Sequence, residues 1–520
     1  MNNKTIILVN VTEIVRDRRS DIVFPLGMLY LANSLKQAGY TSVKKFNIPT
    51  IEIDQFIEQI KNEDILFVAV CSILTGLKIK AASQVSEALK KAVKAPIVWG
   101  GLFPSTLPEL CLKKDYVDMI GMGEGEELVV DIARIYENKL EREMVKGIAY
   151  KDSSGKIVVN EKRPPLENLD RFRPDLEDVE VNDYIQVMDG GRFLPYPIMT
   201  SRGCPYNCAF CYNNAYNNRR WRKYSAGYVI DFLKDLKEKA NFDYIVLADD
   251  NAFVDKERLV LIMKELFALG VKISHFGLKL NNLQGTDLQD FVDNGVRSIY
   301  YGIESFQDRV LKLCNKEHTR AQILNAIELI SRYPRLKVVA GVVMAMPGET
   351  IDDIRADIRE AVDNIRFGGN LSIYTVILFP LPGTKFYDDL ISEGVLKEAE
   401  DINYWVDMSP YESENILRKM RPEASKKDIR LMIMAKRYTE SVINLSRYAE
   451  NQGETGRLYR LKNRLKNLGR YFFFSLGKWR LKNEVFFWSG LDFVGLKFLF
   501  NVERVGSKII QSRIMQKLMR

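Results

Sequence analysis

The chain has 520 residues, 46% of them hydrophobic and 28% charged, with a formal net charge of +8. That length gives room for two or three domains, no uninterrupted apolar run approaches a bilayer span, and six cysteines are too few for a disulfide framework. The excess charge is local: residues 451–520 carry 15 Lys/Arg against 4 Asp/Glu, a net +11 that leaves −3 for the rest, so a polyanionic partner is to be sought at the tail. Met1-Asn2-Asn3-Lys4 runs straight into a strand-like segment without a signal-peptide pattern, and a cytoplasmic protein is expected.

Residues 5–11 read as a strand, 26–38 as a helix stopped at Gly39, and 65–71 as a continuous apolar run suited to a buried parallel strand. A helix over 78–93, strands over 96–99 and 117–121, and a helix over 126–137 complete the pattern of an α/β domain over 1–160, an open Rossmann-like sheet. Ligands of such sheets bind beyond the carboxyl ends of the strands. Those ends carry Ser72, Leu74, Thr75 and Gly76, then Gly100 and Gly101, then Gly123, Glu124, Gly125 and Glu126. Glycines let a backbone approach a large flat or phosphorylated ligand; a sheet that binds nothing is the competing reading. Cys71, Cys111 and Cys314 sit among apolar neighbours and read as buried small hydrophobes.

Residues 161–195 lack periodicity, and Arg163-Pro164-Pro165 and Gly190-Gly191 suggest an extended linker wrapping one domain onto the next. Strand and helix then alternate over 196–396. Strands are expected at 197–201, 244–248, 272–278, 298–303, 337–343 and 372–379, with helix caps at Ser225, Thr286, Thr319 and Thr350. Six such units make a partial (β/α)6 barrel, whose working residues belong at the C-terminal ends of its strands. Directly after the first strand comes Cys204-Pro205-Tyr206-Asn207-Cys208-Ala209-Phe210-Cys211-Tyr212. Three thiols spaced C-x3-C-x2-C on one loop can hold three corners of an iron–sulfur cluster. The fourth iron, without a thiol, is open to an exogenous ligand. The alternatives are a structural zinc site, disfavoured because zinc takes four protein ligands in a closed site, or three unrelated buried thiols.

This loop resembles the signature of the radical S-adenosylmethionine (SAM) superfamily, with Tyr212 as the aromatic that usually follows the last cysteine. Ser72-x-Leu74 and Gly100-Gly101 are similar to parts of the cobalamin-binding domain that precedes the barrel in many members. The resemblance implies a 4Fe–4S cluster on Cys204, Cys208 and Cys211, with SAM chelated to the open iron and cleaved reductively to a 5′-deoxyadenosyl radical. It implies SAM contacts from Tyr212, Asp249, Asp250, Glu304, Val343 and Met346, and cobalamin contacts from Ser72, Leu74, Thr75, Gly100, Gly101, Gly123, Glu124 and Gly125. The Asp-x-His-x-x-Gly loop of the broader cobalamin pattern is missing, and the chain's two histidines, His275 and His318, lie outside the first domain, so cobalt takes no histidine from there. Plainer readings compete at several positions: Asp250 and Glu304 as solvated turn carboxylates, Thr350 as a helix cap, Thr384 as a turn residue, His275 as a core histidine and His318 as a solvated one. Lys279 and Asn281, at the end of the third strand, are candidates for the SAM carboxylate or substrate.

What the resemblance implies is a cobalamin-dependent radical SAM methyltransferase acting on an unactivated carbon. A cyclase, epimerase or rearranging enzyme of the same build is the nearest alternative, and a non-catalytic iron–sulfur electron carrier or sensor the alternative from another class. Expected partners are a small-molecule or lipid-like substrate and an external one-electron reductant of flavodoxin or ferredoxin type. Residues 397–520 read as a helical domain, amphipathic over 426–445, with Lys/Arg interleaved among aromatics from 457 onward. That basic, aromatic segment suits a helical cap on the barrel, a peripheral membrane contact or nucleic acid; it resembles no nucleic-acid module, and no nucleic acid is expected.

Overall fold

The computed structural model describes residues 4–12, 23–71, 76–188, 190–283, 288–408, 413–447 and 457–486. Two seven-stranded sheets organise it. The first contains β1 (Thr5–Thr12), β2 (Val43–Pro49), β3 (Ile65–Val70), β4 (Ile97–Gly100), β5 (Met119–Gly121), β6 (Ile148–Lys151) and β7 (Ile157–Val159), in the order β2-β1-β3-β4-β5-β6-β7. Pairing is parallel from β2 through β5 and antiparallel beyond. Every residue of β1 and β3 is buried, as expected of strands covered on both faces by helices. The order reverses between β1 and β3, and the Gly100–Gly101 and Gly123–Gly125 loops follow the carboxyl ends of β4 and β5. Strand β2 and the helix Ile53–Ile60 were not apparent in the sequence: only two residues of β2 are buried, so it lacks the apolar run of a central strand.

The second sheet comprises β8 (Gln186–Met188), β9 (Gly191–Pro195), β12 (Tyr244–Val246), β13 (Lys272–Leu278), β14 (Ser298–Glu304), β15 (Lys337–Met344) and β16 (Leu371–Ile377), with β10 (Ser201–Arg202) and β11 (Arg222–Lys223) forming a separate two-stranded hairpin. From β9 to β16 the pairing is parallel, which gives the six-unit half-barrel; β8 adds an antiparallel edge. The first barrel strand is Gly191–Pro195 and not 197–201, so the expected linker includes two strands. The reason is a packing contact without sequence periodicity. Phe193 stacks on Tyr244 with ring centroids 4.7 Å apart, and a Cβ at Gly191 would lie 2.7 Å from the Tyr244 ring. Tyr196 then takes a left-handed φ of 56° and ends the strand. Thr286, expected to cap a helix, lies outside the described residues, and the helix there is Gln289–Asp293.

Aromatic packing ties the two sheets together. Trp405, completely buried on the helix Asn403–Asp407, sits 6.1 Å from Phe103 of the first domain and 6.2 Å and 5.7 Å from Phe379 and Tyr387 beyond β16. Lys114 also reaches Asp401 at 2.6 Å. Farther on, the helix Arg457–Asn483 turns Arg470, Phe474 and Leu481 inward, and Phe474 packs on Phe367 with centroids 5.4 Å apart. This is the cap arrangement; Leu468, Phe472 and Trp479 remain exposed. No helix among the described residues is long and apolar enough to cross a membrane.

Candidate cofactor site

Strands β10 and β11 form the two legs of a hairpin whose arc carries the three cysteines. Gly203 turns the chain into that arc with φ +84°, and a Cβ there would lie 2.1 Å from the Arg220 carbonyl oxygen, so only glycine fits. The two aspartates at the end of β12 brace the arc. Asp249 accepts from the Thr200 amide (2.8 Å) and from the hydroxyls of Thr200 (2.7 Å) and Ser201 (2.5 Å). Asp250 accepts from the Gly203 amide (3.1 Å) and from the Tyr212 hydroxyl. The loop backbone is held in turn by Ala209 N–H to the Cys314 carbonyl (3.0 Å), Phe386 N–H to the Ala209 carbonyl (3.0 Å) and the Asn315 amide to the Asn207 carbonyl (2.7 Å).

All three thiols are free, and two face amide donors: Asn251 Nδ2 lies 3.8 Å from Cys204 Sγ, and Asn213 Nδ2 lies 3.8 Å from Cys211 Sγ. Hydrogen bonds to sulfur suit thiolate ligands of a cluster. Burial pushes the Cys211 thiol up to about 11, so binding iron displaces its proton. No three His, Cys, Asp or Glu groups among the described residues converge closely enough for a single ion, whereas a four-iron cluster takes its thiolates on separate irons.

The later strand ends face this loop. Glu304 adopts φ +65°, which folds its carboxylate back over Gly302; a Cβ at Gly302 would lie 1.9 Å from Glu304 Oε1. Buried Lys316 donates to the same oxygen at 2.8 Å. Burial alone would lower the Lys316 ammonium, but Glu304 beside it drives it above its ordinary value. Glu304 is thus a buried, paired carboxylate and not a solvated one. Lys279 is buried with its ammonium 3.4 Å from the centroid of the Tyr206 ring and 2.9 Å from Glu317, while Asn281 donates to the Glu317 carbonyl at 2.6 Å. His275 lies half-buried within β13. His318 corrects an expectation: it is 4% exposed, with Nε2 3.2 Å from the Ile303 carbonyl, and burial pushes it down to about 4. The β14 carbonyl draws it inward despite its position at a helix start.

On β15, Val343 is half-buried and Met346, just beyond the strand, is fully buried. The Met346 amide donates to Glu349 at 3.0 Å, and Ala345 takes φ +67° in the same turn. Burial, aided by Asp357, pushes the Glu349 carboxyl up to about 8. Thr350 forms a full capping box with Asp353, its plainer reading, and Thr384, whose plainer reading was a turn residue, caps the helix Lys385–Ser392.

A cavity joins the two sheets. Its inner part is apolar, lined by Phe67, Ala69, Val98, Leu128, Val129 and Ile132 between the first sheet and the helix Leu128–Tyr136. Its mouth is ringed by Gly100, Gly101, Gly123, Glu124 and Gly125 on one side and by Arg202, Tyr212 and Asp250 on the other. At Gly125 the rim is tight, since a Cβ there would meet Leu31 at 2.7 Å, and Gly123 needs glycine for its φ of +88°. An apolar slot under a rim that is largely glycine on one side fits a planar macrocycle with an appended aromatic base, as in cobalamin. Ser72, Leu74 and Thr75 lie outside the described residues. Glu124, expected to contact the corrin, has its carboxylate taken up by Arg202 (3.0 Å) and Arg222 (2.6 Å). Neither arginine was foreseen, because the pairings span 78 and 98 residues of sequence.

Residues 198–361 match the model of the radical SAM superfamily, and residues 12–133 match that of the B12 binding domain. The chain is a radical SAM protein with a B12-binding domain. The cofactors of these two domains are a 4Fe–4S cluster, SAM and cobalamin. Among relatives of this radical SAM protein, an uncharacterized methyltransferase of Pyrococcus horikoshii is 25% identical over 427 residues, covering 78% of this chain and 90% of its own. An anaerobic magnesium-protoporphyrin IX monomethyl ester cyclase of Rubrivivax gelatinosus is 26% identical over 396 residues, covering 73% and 68%. Among solved structures, the radical SAM methyltransferase TsrM of Kitasatospora setae, with cobalamin and a 4Fe–4S cluster bound, superposes with a TM-score of 0.59 at 14% identity, covering 76% of each chain. OxsB, a cobalamin-dependent SAM radical enzyme with aqua-cobalamin and SAM bound, gives 0.58 at 17% identity, covering 90% of this chain and 72% of its own. At these identities the two structures establish a shared fold.

Proposed function

We propose that this radical SAM protein is a methyltransferase that functionalises an unactivated carbon of a small molecule. The observation that carries the reading is the shared cavity, whose mouth is formed by the glycine loops of the B12-binding domain on one side and by Tyr212 and Asp250, beside the cysteine loop, on the other. When bound, the cluster with SAM supplies hydrogen abstraction from a strong C–H bond, and cobalamin supplies a methyl group.

The chain's own part is to hold and orient. Cys204, Cys208 and Cys211 would hold the cluster, with Asn251 and Asn213 directed at two of the sulfurs. Asp250 and Glu304 would present carboxylates to the SAM ammonium or ribose, and Val343 would offer apolar surface to the adenine. Asp249 supports that frame through Thr200 and Ser201. The apolar slot, with Gly100, Gly101, Gly123 and Gly125 at its rim, would take the corrin and keep water from the reacting carbon. Supply of an electron from an external reductant and the chemical identity of the substrate belong to the same proposal.

The cyclase relatives favour a second reading, radical ring closure without methyl transfer. One experiment separates them. Anaerobically reconstituted protein receives SAM with a deuterated methyl group and candidate substrates. Deuterated methyl in the product supports methyl transfer; product formed without label supports ring closure. A reduced, fully loaded enzyme that yields no 5′-deoxyadenosine above background refutes both readings.

A further inference from the structure

Four charged side chains form a buried cluster where the B12-binding domain meets the cysteine hairpin. Arg202 stands on β10, immediately before the cysteine loop, and Arg222 on β11, which leads away from it. Glu124 and Glu126 stand on the loop after β5. Arg202 donates from Nη1 to Glu124 Oε1 at 3.0 Å, and from Nη2 to Glu126 Oε1 at 2.6 Å and to the Tyr224 hydroxyl at 2.7 Å. Arg222 donates from Nη1 to Glu124 Oε2 at 2.6 Å and to the Leu166 carbonyl at 2.8 Å, and from Nη2 to Asn217 at 3.1 Å. Glu124 Oε2 also accepts the Leu166 amide at 2.7 Å. All four side chains are at most 10% exposed.

The Arg202 guanidinium also lies 5.0 Å from the centroid of the Tyr30 ring, which belongs to the first domain, and 5.7 Å from that of Tyr224. Tyr216, at the end of the short helix Asn213–Tyr216 after the last cysteine, donates to the Gly123 carbonyl at 2.8 Å. Both legs of the hairpin are therefore fastened to one glycine loop. Two buried arginines facing two buried glutamates are a poor source of stability, since desolvation cancels most of the attraction, but short charge-assisted hydrogen bonds in which Glu124 bridges both arginines and Arg202 bridges both glutamates tolerate little displacement. Such an arrangement suits registration of two parts more than it suits net stabilisation.

We propose that Glu124 is a positioning residue: through Arg202 and Arg222 it locks the cobalamin-side loop to the cysteine hairpin and sets the spacing between corrin and cluster. This rests on the reading of the shared cavity as the corrin site. The geometry favours it because Glu124 is, among the described residues, the one carboxylate bonded to both arginines, and its neighbours Gly123 and Gly125 form the cavity rim.

The test is Glu124→Gln, which keeps the shape and removes the charge, in full-length protein reconstituted anaerobically with iron, sulfide and hydroxocobalamin. Two quantities are read: cobalamin affinity by equilibrium dialysis, and the enhancement of cob(II)alamin spin relaxation by the reduced cluster, which reports their separation. The variant is expected to hold wild-type iron, to bind cobalamin about tenfold more weakly, and to show a reduced, heterogeneous relaxation enhancement. Wild-type affinity together with wild-type relaxation enhancement overturns the proposal. Should Glu124→Gln fail to fold, Arg222→Lys, which keeps the charge and loses the fork, is held to the same two outcomes. Wild-type protein that loads iron but no cobalamin refutes the corrin site itself. The lock is then judged by hydrogen exchange: faster exchange in Glu124→Gln at both Gly123–Glu126 and Thr200–Gly203 upholds it, and unchanged exchange overturns it.

Discussion

Replacing Gly203 by alanine tests whether the cysteine arc is built as described. The φ of +84° places an L-residue in the left-handed region, which costs about 1–2 kcal/mol. The new methyl would also sit 2.1 Å from the Arg220 carbonyl oxygen and 3.2 Å from Asn217 Cβ. A backbone oxygen cannot swing aside as a side-chain tip can, so the hairpin legs must part, at an overpacking cost of about 1–3 kcal/mol. Together the two effects predict a loss of about 2–5 kcal/mol, concentrated between β10 and β11. Parting the legs also stretches the Gly203 amide from Asp250 and moves Cys204 relative to Cys208 and Cys211. The assay is urea denaturation alongside iron per chain after anaerobic reconstitution, with Gly227→Ala as control. Gly227 lies in the helix Ala226–Lys239 with open space around its Cβ position, and alanine there should be neutral or stabilising by up to about 1 kcal/mol. A Gly203→Ala protein with the wild-type denaturation midpoint and full iron loading refutes the reasoning.

Further predictions follow from buried groups. Glu349, raised from an ordinary 4.5 to about 8, is held protonated in the folded chain, so its own contribution to stability should be lost as pH rises from 4.5 through 8. Glu349→Gln should remove that slope, and thermal melts across the range will show it. His318 has the opposite sense: with its value depressed from 6.5 to about 4, its contribution is complete above 6.5 and is lost as pH falls toward 4. In His318→Gln the urea midpoint should decline less steeply over that interval. Trp405→Ala deletes a completely buried ring that touches both domains and should cost about 3–5 kcal/mol. Limited proteolysis should then cut between the domains at lower protease concentration than in wild type, and an unchanged cleavage pattern counts against the stitching role.

Long, strongly patterned elements were legible from residue order alone. The run Ile65–Val70 is apolar throughout because both of its faces are covered, and the alternation from Tyr244 to Ile377 repeats often enough to specify a half-barrel. Short elements were not. Gly191–Pro195 carries no period, and its place is fixed by Phe193 against Tyr244, a contact across 51 positions. His318 looked solvated because sequence records its neighbours along the chain and not the β14 carbonyl it meets.

The cysteine spacing and the glycine-bearing strand ends were determined by the sequence itself, since each is a local arrangement of a few consecutive residues whose chemistry needs no partner to be recognised. The tertiary structure decided which partner each buried carboxylate takes. Asp249 holds Thr200 and Ser201, Glu304 holds Lys316, and Glu124 holds two arginines from another domain. A buried charge is defined by the counter-charge and donors that replace its water. Those partners come from residues distant in sequence, so folding alone brings them together.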